Sequence, residues 1–179
     1  SVAAEQVLIK ILTRAKMLVA NGVELFASPA LKYFLSLGNS SSSAITHTLL
    51  KHYAALDDSD LLSAIKAWMS SEDKVLNVLC ECFTHRQLFK SKLLDEPLSI
   101  EEKEALREQY AKRFGVTKED ADYFFVEHIS TSNTYSEKGE AIDIMYKDGS
   151  VRDIAEASEM LNMETLTYKP QKIYLFHLK

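Results

Sequence analysis

Apolar residues recur every three or four positions through the first half of the chain, then give way to aromatic and β-branched runs. Between residues 3 and 21, Ala4, Leu8, Ile11, Leu12, Ala15, Leu18 and Val19 fall on one face and Gln6, Lys10 and Thr13 on another, the period of an amphipathic helix. Asn21-Gly22 predicts its end, because both residues tolerate left-handed backbone. Ser28-Pro29 predicts a second start, Ser as N-cap and Pro at the first helical position, running to Leu37. Gly38-Asn39 and Ser40 to Ser43 read as an exposed polar loop, followed by a third helix over about 44–55. Asp57-Asp58-Ser59-Asp60 caps a fourth, with Leu61, Leu62, Ile65, Trp68 and Met69 as its inner face. Ser71-Glu72-Asp73 caps a fifth, with Val75, Leu76, Leu79, Cys80 and Phe83 inside. Acidic residues suit these starts because the helix dipole is positive there.

The texture changes after His85. Arg86 to Leu94 reads as a short extended or irregular stretch. Ser99 with Glu102 has the capping-box pattern and opens a charged helix from about 100 to Phe114, which Gly115 ends; Thr117 to Asp122 opens another short one. Tyr123–Ile129, Ala141–Tyr146 and Lys172–Leu178 carry strand composition, the last with Ile173, Leu175 and His177 on one face. Asp148-Gly149 predicts a tight turn, after which a short strand near Val151 to Ile154 can return; a helix is also expected within Val151–Leu161. Helices first and strands later define an α+β fold. The expected division is a helical part, 1–94, and an α+β part, 95–179, holding a small, mainly antiparallel sheet.

Composition narrows the class. The apolar fraction of 46%, with 8 Tyr, 8 Phe and one Trp, is enough for a packed core. Net charge is −5 and uneven, +2 over residues 1–94 and −7 over 95–179. Neither part has the basic field that drives binding to nucleic acid, so nucleic acid is not an expected partner. No uncharged apolar run approaches the roughly 20 residues of a membrane-spanning helix, so no membrane is expected either. Cys80 and Cys82, two apart on a helix, point to different faces and read as small apolar side chains in a reducing compartment, which places the chain in the cytoplasm. The first residues are amphipathic rather than signal-like, and with no initiating Met the sequence reads as a fragment.

The chemistry-bearing residues do not assemble a catalytic motif. His47, His52, His85, His128 and His177 include no pair four apart and no His followed by Asp. His52 with Asp57, Asp58 and Asp60 is the one cluster that tempts a hard cation, but capping accounts for those acids. Ser40–Ser43 lacks a glycine-flanked elbow, neither Cys has an adjacent His, and five glycines leave little for a phosphate-cradling loop. The catalytic and metal sets are therefore expected to be empty, with no cofactor in this chain. His85-Arg86 with Lys90 and Lys92 is a small cationic cluster able to hold a phosphate, although solvation or pairing with the acidic later part explains such charges as well. Lys169 and Lys172 near Tyr168 admit the same two readings.

Several stretches, taken in order, resemble the region downstream of the catalytic HD domain in SAM-and-HD-domain dNTP triphosphohydrolases and their bacterial HD phosphohydrolase relatives. The first helix from Ala4-Glu5-Gln6 to Arg14-Ala15-Lys16 is similar to the helix after the last substrate-contacting segment. Leu56-Asp57-Asp58 to Trp68 resembles a leucine-aspartate-aspartate element, and His85-Arg86-Gln87-Leu88-Phe89-Lys90 an Arg-x-Leu-Phe-Lys segment. Asp122 to Ile129, Ile142 to Asp148, Val151-Arg152 and Ile173 to Phe176 resemble the closing sheet. The resemblance covers most of the chain except the serine loop. It implies a parent that hydrolyses a dNTP to nucleoside and triphosphate, using a divalent metal held by a His, a His-Asp pair and an Asp upstream of the matched region. This chain would then be a non-catalytic C-terminal part that packs on its own upstream HD domain and helps build a homo-oligomer. In animal relatives the region matching Lys147 to Ala157 supplies basic residues to a regulatory nucleotide pocket; here it holds Lys147 and Arg152 but also Asp148, Asp153 and Glu156, which weakens that route. Arg86, Lys90, Lys147 and Arg152 are the candidate nucleotide- or phosphate-binding residues. The alternative is a stand-alone α+β protein-interaction module.

Overall fold

A computed structural model of the chain describes residues 1–37, 56–131, 143–145, 151–153 and 171–179. Six helices are described: α1 (Val2–Ala20), α2 (Pro29–Ser36), α3 (Asp58–Trp68), α4 (Lys74–Thr84), α5 (Ile100–Phe114) and the short α6 (Lys118–Ala121). The strands are β1 (Lys90–Leu94), β2 (Phe125–Thr131), β3 (Asp143–Met145), β4 (Val151–Asp153) and β5 (Gln171–His177). The fold is α+β, as the order of periodicities implies. The expected helix at 44–55 and the serine loop lie outside the described residues.

Ser1 caps α1, and each later helix start is made by the side chain expected for it. Ser28 accepts from the Leu31 amide with Pro29 in the first turn, Asp73 from Leu76, Ser99 from Glu102 and Thr117 from Asp120. Asp57 and Asp60 form a reciprocal capping box at α3. The ends are equally local. Gly22 (φ 85°) closes α1 while the Val23 amide donates to the Leu18 carbonyl, and Gly115 (φ 65°) closes α5 while Val116 donates to Ala111.

The central sheet has strand order β1-β5-β2, antiparallel throughout, with Lys92 opposite Leu175 and Glu127 opposite the same residue on the other side. β1 is the stretch expected to be extended or irregular; pairing to β5 gives its backbone groups their partners. β3 and β4 form a separate antiparallel pair with Ile144 opposite Arg152, and the predicted Asp148-Gly149 turn lies outside the described residues. Of the helix expected within Val151–Leu161, residues 151–153 are strand and the rest lies outside the described residues. Tyr123 and Phe124 also depart from expectation: they belong to a 3₁₀ turn, Asp122–Phe124, and extended backbone begins at Phe125. The turn continues α6 without a break and buries Phe124, which packs against Phe114 at 4.7 Å between ring centres.

One apolar cluster runs from the helices into the sheet, including Val7, Ile11 and Leu12 of α1, Leu76 and Leu79 of α4, Tyr110 of α5 and Leu175 of β5. Ile11 is fully buried in this cluster, and Leu8 packs partly against it. Leu62, expected inside, is 47% exposed: Leu61, Ala64, Ile65 and Trp68 already complete the inner face of α3, and the next residue is turned about 100° away. Among the described residues no helix is long and apolar enough to cross a membrane. Cys80 and Cys82 are both free thiols.

Candidate functional site

The end of α4 is built differently from the other helix ends. The Gln87 amide donates to the Cys82 carbonyl (2.8 Å) and the Arg86 amide to that of Phe83 (3.3 Å), the bonding pattern that closes a helix with one left-handed residue. Glycine takes that position after α1 and α5, whereas here it is Arg86, with φ 55°. A residue with a Cβ is disfavoured in this conformation, and such residues concentrate at functional sites.

Arg86 lines a cavity of about 570 Å³. His85 and Lys90 line it from the same segment, Lys74 from the first turn of α4, Arg113 from the last turn of α5, and Lys179 from beyond β5. Among the described residues, five Lys or Arg residues line the cavity with one acidic side chain, Glu81. Arg113 is fixed in place: its Nη1 donates to the main-chain oxygen of Lys179 at 2.7 Å, and its guanidinium carbon lies 4.8 Å from the Phe114 ring centre. In an otherwise acidic chain this concentration of positive charge suits a multiply charged anion, which guanidinium and ammonium groups hold through charge-assisted hydrogen bonds.

Cys82 lines the same cavity, but its thiol lies above its ordinary range, chiefly through burial and then through Glu81, with Arg113 opposing. Burial pushes the Cys80 thiol further, to about 12. Neither has the depressed pKa of a nucleophilic cysteine.

The structure brings Arg86 and Lys90 together at one cavity with His85, as their spacing suggests. Lys92 is not among them; it lines a different cleft with Leu93, Leu98 and Leu175. Lys147, Tyr168 and Lys169 lie outside the described residues, Arg152 is placed by its backbone in β4, and Lys172 is exposed on β5 opposite Ser130. Lys74, Arg113 and Lys179 were not legible as site residues, since tertiary packing alone joins them to Arg86. Among the described residues no three His, Cys, Asp or Glu gather as a metal-binding group. Asp57 and Asp60, the acids of the cation-like cluster, form the capping box of α3.

No protein family's sequence profile matches the chain. The uncharacterized protein YwfO of Bacillus subtilis (strain 168) is 37% identical over 87 residues, which are 49% of this chain and 18% of YwfO. The crystal structure of a phosphohydrolase, BT4208 of Bacteroides thetaiotaomicron VPI-5482, is similar over 99% of this chain at 39% identity, with a TM-score of 0.71. The match occupies 44% of that phosphohydrolase, so this chain spans less than half of its length. The chain thus shares the fold of part of a phosphohydrolase.

Proposed function

We propose that this chain is the non-catalytic C-terminal part of an HD-type, metal-dependent phosphohydrolase of the dNTP triphosphohydrolase kind. The observation that carries the reading is the match of nearly the whole chain to under half of a phosphohydrolase at 39% identity. The sequence supports the HD assignment through Arg86-Gln87-Leu88-Phe89-Lys90 and the order of the other family-like stretches. The divalent metal and its ligands would belong to an upstream HD domain. This chain would pack on that domain and contribute to a homo-oligomer, for which Phe26, Tyr33 and Leu62 offer exposed apolar side chains. Arg86 and Lys90, joined by Lys74 and Arg113, would take a nucleotide's phosphates as a regulatory anion; Lys147 and Arg152 are the further candidates for that role.

The test compares two proteins. The 179-residue chain is expected to release no triphosphate from any dNTP with Mg²⁺, Mn²⁺ or another divalent metal, because metal-assisted attack needs a metal held in place and a water activated by it. The natural polypeptide including the preceding segment is expected to carry a His…His-Asp…Asp set and to release triphosphate in a metal-dependent way. Metal-dependent release by the short chain that survives repurification defeats the non-catalytic reading. Absence of the ligand set upstream defeats the HD reading and leaves the stand-alone interaction module.

A further inference from the structure

The stretch between α1 and α2 presents apolar side chains to solvent on a backbone held at both ends. The Val23 amide donates to the Leu18 carbonyl at 2.9 Å, and the Phe26 carbonyl accepts from the Trp68 indole at 2.9 Å. At these two anchors Val23 is 42% and Phe26 61% exposed, and Tyr33 on α2 is 67% exposed. Pro29, Ala30 and Tyr33, three or four apart, share an exposed face of that helix. Exposed apolar groups on an ordered backbone lose little freedom when they are covered, which favours an interface.

Val23, Glu24, Leu25 and Phe26 line two cavities that differ in charge. The one against α2, about 600 Å³, has one acid, Glu24, and one base, Lys32, with Val19 and Leu35 among its walls. Neither Glu24 nor Lys32 is in an ion pair among the described residues. The one against the end of α3, about 490 Å³, has Glu24, Glu72 and Asp73, of which only Asp73 is answered, by Arg14. Two copies meeting about a two-fold axis set one patch against itself, so each group needs its complement within that patch. The α2 cavity meets this condition, with Glu24 set against Lys32 of the second copy and Lys32 against its Glu24. The α3 cavity fails it, because acids would meet acids.

We infer that Val23–Phe26 and the outer face of α2 form the contact between two copies of this chain, a two-fold dimer in which Phe26 of each copy enters the other's α2 cavity and Glu24 pairs with Lys32 across the axis. This rests on the homo-oligomer proposed above and gives it a surface. The apolar side chains supply most of the affinity, and the two solvent-facing ion pairs fix the register.

Sedimentation of the full chain over a concentration series measures the dimer, which is expected to form reversibly. Phe26→Ser is expected to weaken it at least about a hundredfold, because each dimer loses two aromatic anchors. Glu24→Lys and Lys32→Glu are each expected to weaken it roughly tenfold, because two ion pairs become like-charge contacts. Mixed in equal amounts, these two variants are expected to form a heterodimer as tight as the unsubstituted dimer, since one then carries only positive and the other only negative charge at both contacts. An ion pair within one chain cannot give that rescue. All three side chains are exposed, and the emission of Trp68 confirms that each variant is folded. A chain that stays monomeric at millimolar concentration, a dimer that Phe26→Ser leaves intact, or a mixture no tighter than its separate components overturns the proposal. A dimer that survives Phe26→Ser leaves the homo-oligomer standing on another surface. None of these outcomes bears on hydrolysis by the longer polypeptide, so failure here is distinguishable from failure of the phosphohydrolase reading.

Discussion

Arg14 grips Asp73 through two parallel hydrogen bonds, 2.9 Å from Nε to Oδ2 and 2.7 Å from Nη2 to Oδ1. The same guanidinium donates from Nη1 to Asp120 at 2.8 Å and lies 5.1 Å from the Tyr123 ring centre. Asp73 also caps α4, and Asp120 lies in α6, so one side chain of α1 ties the helical layer to the helices beside the sheet. Arg14 is only 8% exposed, which makes its charge costly unless these partners are present. Burial opposes the charge of both members, but each is held charged by the other: the guanidinium is raised above its ordinary range, and the Asp73 carboxyl is lowered, helped by the Leu76 amide.

Asp73→Asn is therefore expected to destabilise the fold by about 2–3 kcal/mol near neutral pH, less than a fully buried pair because Asp120 remains. A carboxyl lowered in the folded state gives stability that is complete above its unfolded pKa, about 3.9, and is lost as pH falls through the folded value. The unsubstituted chain should thus lose stability below about pH 4–5 more steeply than Asp73→Asn. Urea unfolding at several pH values checks this; parallel curves for the two proteins would refute it.

Trp68, the single tryptophan, is buried on α3, and its indole N–H donates to the Phe26 carbonyl at 2.9 Å. Its fluorescence should be blue-shifted in the native state and should report unfolding of the helical layer. Trp68→Tyr or Phe, which strands that carbonyl and leaves a cavity, is expected to cost about 2–4 kcal/mol in denaturant unfolding.

Thiol labelling at pH 8 should find Cys80 inert in the folded chain, since burial and a pKa of about 12 leave almost no thiolate. Cys82 should react slowly, and both should react at once in denaturant. Fast native labelling of Cys80 would contradict the packing of α4.

What was legible in the sequence is what is decided locally. Ser28, Asp57, Asp73, Ser99 and Thr117 cap helices through bonds to residues two or three positions on, so a short window contains both partners. The strand start was misplaced at Tyr123 because β-propensity says nothing about a 3₁₀ turn that buries Phe124 against Phe114. Arg86 and Lys90 were visible as a cluster because they share one segment. Lys74, Arg113 and Lys179 were not, since the packing of α4, α5 and β5 alone brings them to the same cavity. The left-handed backbone at Arg86 was hidden for a related reason: the residue expected there is glycine, and a charged side chain gives no local sign of it.

That substitution of arginine for glycine yields the sharpest stability test. Gly22 and Gly115 close α1 and α5 with the same left-handed backbone as Arg86, and neither carries a Cβ to be strained. If Arg86 is kept for its charge at the cavity, its backbone is held at a cost that a glycine removes. Arg86→Gly is expected to match or exceed the stability of the unsubstituted chain, and to exceed Arg86→Ala by about 0.5–1 kcal/mol, because Ala keeps the left-handed strain while losing the side chain. Both should weaken triphosphate binding, and the salt dependence of that binding should flatten in both. Stability would then rise where binding falls, the opposite of what a structural arginine shows. A large loss of stability in Arg86→Gly, measured by urea unfolding, would instead mean that the side chain holds the end of α4 together and that the cavity's charge is incidental to it.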